Sequence, residues 1–314
     1  MLTRRAALLG GLTLPALAHA QTTPATKPEW AAQIPVLRIG LLGGENDADR
    51  LARYEPYRKL LETSFGVPAK MLTAADYAGV IQAFAAGQIE IAYMSPAAYA
   101  AAWIESDGKV RPLLTTQEAD GSTSYVSVMY TRADSGIADL AGMRGKSLAW
   151  ADPNSASGYL IPRSEFRAAG IDPASYFSRT GFAGGHEQAV VAVLGHQYDA
   201  GVTWASGIGD ESQGFTRGAL RTMVDKKLLD MHDLRIIWRS RPIENGPLTI
   251  RSDTPQSFQD DMLALHERMP REHPEIYRAV DMGTGKAWVP VTHADYTPFV
   301  DMLKAEAVDR RRRR

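Results

Sequence analysis

Lys146-Ser147-Leu148-Ala149-Trp150, followed by Asp152-Pro153-Asn154-Ser155-Ala156-Ser157-Gly158-Tyr159-Leu160-Ile161-Pro162, decides how the chain is read. The first five residues predict a strand. From Ser157 to about Ala169 the spacing predicts a helix. Small hydroxyl residues and a glycine lie between. A helix start has N–H groups without intrahelical partners and a partly positive dipole end. Ser155 and Ser157 can add hydroxyl donors, and Gly158 carries no side chain to block approach. These are the means of holding an oxyanion without lysine or metal. The same residues also describe a serine N-cap after a strand, which needs no ligand. The surrounding chain has to decide between the two.

Upstream, strands are predicted at Val36–Leu42, Ala69–Leu72, Ile89–Met94 and Arg111–Thr116. Helices are predicted between them: about Asp49–Phe65, from Asp76 as N-cap to Gly87, and from Ser95-Pro96 to Ile104. Downstream, strands are expected at Tyr125–Tyr130, Ser178–Phe182, Ala200–Trp204, Leu234–Ser240 and Leu248–Arg251, with a helix opening at Gly184-Gly185-His186. Residues 209–229 read as helical, as do 255–269 and 295–305 with a loop between. Alternating β and α units imply an α/β architecture of mainly parallel sheets with helices on both faces. Ligands sit at the carboxyl ends of such strands, where Tyr77, Ser95 and Ser155 fall.

The chain has 314 residues, no cysteine, and a net charge of -1 from 35 basic and 36 acidic side chains. The absence of cysteine excludes disulfides, thiolate metal sites and thiol catalysis. The charge balance gives no attraction for nucleic acid, and aromatic residues are not interleaved with a basic patch. Histidines 196, 232, 266, 273 and 293 are scattered without metal-ligand spacing. No phosphate-loop or dinucleotide fingerprint is present. Ser157, His186 and Asp199 could be drawn as a hydrolase triad, but the Ser157 loop is not a nucleophile elbow. No metal or cofactor is therefore expected. Residues 1–20 read as a signal peptide: Arg4-Arg5, an apolar run from Ala6 to Leu17, then Ala18-His19-Ala20. Export to a periplasm is expected, and the paired arginines weakly match a twin-arginine signal. Residues 21–35 read as a flexible leader, and 306–314 as a solvated basic tail.

Five motifs in order carry a resemblance: Asp76-Tyr77-Ala78-Gly79-Val80-Ile81-Gln82, Ile91-Ala92-Tyr93, Asp120-Gly121-Ser122 with Tyr125, Asp152 to Gly158, and Gly184-Gly185-His186-Glu187. Over residues 36–303 the chain resembles the periplasmic phosphonate-binding proteins of ABC transporters, including relatives that bind phosphite. The resemblance implies a two-lobed type II periplasmic-binding fold joined by two hinge strands. Lobe 1 would comprise 36–127 and 245–305, and lobe 2 would comprise 128–244. It also implies a phosphorus oxyanion as ligand, an ABC permease as partner, a monomer, and no enzyme activity. The alternatives are a sensory subunit for a membrane receptor or an enzyme on the same fold. Tyr77, Tyr125, Ser155, Ala156, Ser157, Gly158 and His186 match the family's ligand-facing positions, and Ser95 stands where glycine is commoner. Ala156 replaces a threonine. Recognition would then use neutral donors. The carboxylates that face an ammonium in some relatives are replaced by Ser206 and Gly246, with Glu244 nearby. A compact or uncharged substituent on phosphorus is therefore expected.

Overall fold

A computed structural model of the protein describes residues 27–283 and 285–312. The expected export signal at 1–20 lies outside the described residues. The chain runs β1 (Leu37–Leu41), α1 (Asp47–Phe65), β2 (Ala69–Thr73), α2 (Tyr77–Ala85), β3 (Ile91–Tyr93), α3 (Pro96–Glu105) and β4 (Val110–Gln117). After a turn come β5 (Ser124–Arg132), β6 (Ser147–Trp150), a π-turn at Ala156–Leu160, α4 (Ile161–Ala168), α5 (Pro173–Tyr176), β7 (Arg179–Phe182), α6 (His186–Leu194), β8 (Ala200–Ala205), α7 (Ala219–Asp225), β9 (Leu234–Arg239) and β10 (Ile243–Glu244). The chain returns through β11 (Pro247–Arg251), α8 (Gln256–Glu272), α9 (Pro274–Asp281), β12 (Ala287–Pro290) and α10 (His293–Arg312).

Two sheets result. The first has the order β12-β4-β11-β3-β1-β2, and the second β10-β5-β8-β6-β7, with β9 also paired to β5. Both are mixed. Wound strands pair in parallel, β1 with β2 and β3, and β6 with β7 and β8. The returning β11 and the long β5 add antiparallel pairs. The chain crosses between sheets twice, at Gln117–Ser124 and at Glu244–Pro247. Residues 124–127, assigned from sequence to the first lobe, therefore belong to the second sheet.

Apolar side chains fill both faces of each sheet. Leu37, Ile39 and Leu41 meet Tyr57 and Leu61 of α1 and Phe258 and Met262 of α8. On the opposite face, Val80 and Phe84 of α2 pack with Tyr99 of α3 and Tyr296 of α10. In the second lobe, Val128 and Tyr130 face α6 and α7, while Trp150 and Leu148 face Phe166 of α4. Local signals set the helix ends. Asn46 caps α1 by accepting from the amides of Ala48 and Asp49, and Gly66 ends it in the left-handed region at φ 62°.

Four expectations change. Within the leader, residues 29–34 are docked: Trp30 is 1% exposed, meets Phe65 and Phe258 edge to face, and donates its indole N–H to Asp261 at 2.8 Å. Burying one indole outweighs the polar composition around it. The segment 209–229 contains only a short turn and α7, because Gly214 and Gly218 both take positive φ. The expected loop between the last helices holds α9 and β12, and Trp288 of β12 packs into the core. The basic tail continues α10 as far as Arg312.

Candidate functional site

A cavity of about 130 Å³ lies between the lobes, at the carboxyl ends of β1, β3, β6 and β8. Tyr77 and Ser95 line it from the first lobe. Tyr125, Ser155, Ser157 and His186 line it from the second. Each arrives there through local backbone chemistry. Asp76 caps α2 by accepting from Gly79 N–H at 3.0 Å, which places Tyr77 at the helix start. Ser95 caps α3, its hydroxyl accepting from Ala98 N–H at 3.1 Å.

The segment after β6 begins with a wide π-turn, not the α-helix expected from Ser157. Leu160 N–H donates to Ser155 C=O at 3.0 Å. Pro162 has no N–H to offer the carbonyl four residues back, and Gly158 C=O accepts from Ala151 instead. Such turns recur at functional sites. Ser155 is its hub. Its hydroxyl accepts from Gly158 N–H at 2.9 Å, lies 3.2 Å from His186 Nε2, and is within reach of the Tyr77 hydroxyl. Ser157 reaches the Tyr125 hydroxyl, and its carbonyl accepts from Ser127 at 2.7 Å.

Ala156 and Gly158 do not line the cavity. Ala156 is fully buried in an apolar cluster with Leu160 and Tyr125. At Gly158 a Cβ would sit 2.5 Å from Ala151 Cβ, 2.9 Å from Ser155 Oγ and 3.0 Å from His186 Cε1. The glycine is needed for the turn to pack, whatever approaches it.

The helix starts are less open than expected. His186 and Glu187 N–H both donate to Gly44 C=O of the opposite lobe, at 3.2 and 3.4 Å. Tyr77 N–H donates to Asp152 Oδ2 at 3.3 Å, also across the cleft. Among neutral groups, hydroxyls and imidazole are thus the main donors facing the cavity.

Burial lowers the His186 pKa to about 4, so its ring is neutral at physiological pH, held by Thr203 at 3.0 Å through Nδ1. His266, buried between Tyr57 and Met262 C=O, is likewise lowered to about 4. An unfolded histidine protonates near pH 6.5. Between about pH 6.5 and 4 the unfolded chain therefore binds protons that the native one refuses. Stability should fall as pH falls through that window, by about 1.4 kcal/mol per pH unit for each histidine. Urea unfolding at pH 7, 6 and 5 measures it. His186→Gln or His266→Gln should flatten the slope, and an unchanged slope in both would contradict the neutral assignment. Burial raises the Tyr77 and Tyr125 pKa values, keeping both hydroxyls protonated as donors.

Sequence reasoning missed the charges in the cavity wall. Glu45, Arg50, Arg53, Glu187, Arg217 and Asp281 all line it. Arg217 is 3% exposed and pairs with Glu118 and Asp281, 1% and 0% exposed. The residues singled out for substituent choice take other roles. Ser206 is outside the lining, its hydroxyl bonded to Thr216 at 2.8 Å and Ile208 C=O at 3.2 Å. Gly246 lines the cavity, but a Cβ there would lie 1.9 Å from Met94 O, so no side chain fits. Glu244 is outside the lining, near Thr123, and burial raises its pKa. Among the described residues no cluster of His, Asp and Glu could hold a metal, and no helix is long and apolar enough to cross a membrane.

Comparison with known proteins places these observations in context. Residues 39–306 match the family described as "ABC transporter, phosphonate, periplasmic substrate-binding protein". The phosphate-import protein PhnD of Mycolicibacterium smegmatis is 30% identical over 285 residues, which cover 83% of this chain and 82% of that one. The phosphonates-binding periplasmic protein of Escherichia coli is 28% identical over 249 residues, covering 77% and 69%. The structure of PhnD1 from Prochlorococcus marinus in complex with methylphosphonate superposes with a TM-score of 0.74 at 14% identity, covering 87% and 98%.

Proposed function

Since the chain belongs to the periplasmic substrate-binding proteins of phosphonate ABC transporters, we propose that it captures a phosphorus oxyanion, phosphonate, phosphite or phosphate, in the interlobe cavity and presents the closed form to a membrane permease. The observation that carries the reading is convergence. Six neutral donor side chains from both lobes line one cavity: Tyr77, Ser95, Tyr125, Ser155, Ser157 and His186. Preorganised dipoles in a dry cleft can hold an anion strongly. Donors from both lobes also make binding and closure one event. The twin-arginine-like segment at Arg4-Arg5 would direct export, and the protein would act as a monomer.

The test combines two measurements. Mass spectrometry of ligand released from protein purified without added phosphorus compounds should detect a phosphorus oxyanion. Calorimetry with phosphite, methylphosphonate and phosphate should show saturable binding of at least one of them, with sulfate weaker. Binding of none of the three would overturn the reading.

A further inference from the structure

Beside the cavity the lobes meet at a charged seam. The first lobe contributes the β1–α1 segment from Gly44 to Asp49, and the second contributes the start of α6 and the end of α7. Lys226 stands at that end of α7. Lys227 takes a left-handed φ of 58°, and Leu228 N–H donates to Met223 C=O at 2.8 Å, so the helix stops in a fixed turn. The Lys226 ammonium lies 2.8 Å from Glu187 Oε1 in its own lobe. Across the seam it lies 2.9 Å from Asp49 Oδ2 and 3.9 Å from Glu45 Oε2. Lys226 does not line the oxyanion cavity. It lines a separate recess of about 810 Å³ between the lobes.

Closure changes these contacts unequally. The Glu187 contact lies within the second lobe, so it survives opening. The Asp49 and Glu45 contacts join the lobes and exist only when the seam is shut. Closing also brings Glu187 up to the first lobe, where its Oε2 accepts from Asn46 N–H at 3.4 Å. Three carboxylates thus gather at the seam, answered by Lys226 and by Arg53, which pairs with Glu45. Without Lys226, one cation would face three acids, and like charges at this range repel. Burial opposes the charge on Lys226, but Glu187, Asp49 and Glu45 together raise its pKa and keep it an ammonium. A network of this kind is worth more than an isolated surface pair. With Lys226 23% and Asp49 50% exposed, it still lies within reach of salt.

Resting on the capture-and-closure reading above, we propose that Lys226 is a positioning residue for ligand capture: it touches no ligand, but by neutralising the carboxylates that meet across the seam it sets how long the oxyanion stays bound. The signature is kinetic. Escape requires the seam to part, so the release rate depends on Lys226. Encounter takes place with the seam apart, so the association rate depends on it far less. Salt screens the attraction of Lys226 for Asp49 and Glu45, and should hasten release. In a protein lacking that ammonium, salt screens repulsion instead, and the dependence should vanish or reverse.

The test is stopped-flow fluorescence, with Trp204 in the cavity wall among the reporters, on whichever of methylphosphonate, phosphite and phosphate binds by calorimetry. Lys226→Met should speed release about ten-fold, with association within about three-fold of wild type. Adding Asp49→Asn to Lys226→Met should recover part of the loss, because it removes one of the repelling charges. Arg221→Gln should leave release unchanged, since Arg221 pairs with Asp225 of its own helix. Wild-type release should quicken between about 0.05 and 0.5 M sodium chloride, and release from Lys226→Met should not. If Lys226→Met fails to fold, the salt dependence of the wild-type rate decides alone. A release rate in Lys226→Met within about two-fold of wild type, or a wild-type rate that salt does not raise, overturns the proposal and leaves the oxyanion reading standing. Binding of none of the three ligands overturns both.

Discussion

Arg217→Ala is expected to lower the free energy of unfolding by about 3–5 kcal/mol, because it leaves buried carboxylates without their cation. The guanidinium sits where the chain crosses between lobes. It donates to Glu118 at the first crossing, to Asn245 Oδ1 at the second at 2.9 Å, and to Asp281 C=O at 3.4 Å. It also lies 5.2 Å from the centre of the Trp204 ring. Burial opposes its charge, but Asp281, Tyr93 and Glu118 together raise its pKa and hold it protonated. Replacing all the charges should cost less than removing one, since a well-packed apolar replacement avoids the desolvation term. Arg217→Met with Glu118→Gln and Asp281→Asn should therefore recover part of the loss. Urea unfolding of the two variants beside wild type measures the effect. A single variant within about 1 kcal/mol of wild type would show that the crossing does not depend on this network.

Ser155→Ala should weaken methylphosphonate binding by roughly 10- to 150-fold, the value of about 1.5–3 kcal/mol for a hydrogen bond to a charged group. The serine hydroxyl is a donor to the cavity and also the acceptor that holds Gly158 N–H and neighbours His186. Its removal disturbs three groups together. Ser157→Ala, whose hydroxyl meets Tyr125, should lose less. Thermal melts run beside the calorimetry separate a folding defect from a binding defect. Equal affinity of Ser155→Ala and wild type would remove the π-turn from the site.

The wound parts of both lobes were legible because their signals are local. Asp76 and Ser95 are helix caps at strand ends, and periodicity marks the helices they open. The hydroxyl side of the cavity was legible for the same reason, since its donors except Tyr125, which lies in β5, are caps or first-turn residues. The charged side was not. Arg217 and Glu118 are 99 residues apart in the chain, and Trp30 finds Asp261 across 231. No window of sequence contains such a pair. Gly246 misled for a steric reason: its blank side chain answers the Met94 carbonyl, a contact made only when the second crossing passes β3. The π-turn was read as an α-helix from Ser157, although Pro162, sixth in that stretch, has no N–H for Gly158 C=O, and Leu160 N–H turns to Ser155 C=O.

The place where the lobes touch main chain to main chain has a consequence for size selection. A methyl group added at Gly185 would sit 2.7 Å from Gly44 Cα, so the seam is narrower than one carbon atom. Its two amide bonds to Gly44 C=O form only when that gap is fully shut. A ligand one bond too long for the chamber would thus be rejected twice. It would strain against the chamber walls, and it would hold open the backbone contact between Gly44 and the start of α6. Under the proposed capture and closure, discrimination by length would rest on this pair of glycines, as a gauge with a single setting, shut or not shut, instead of a graded fit.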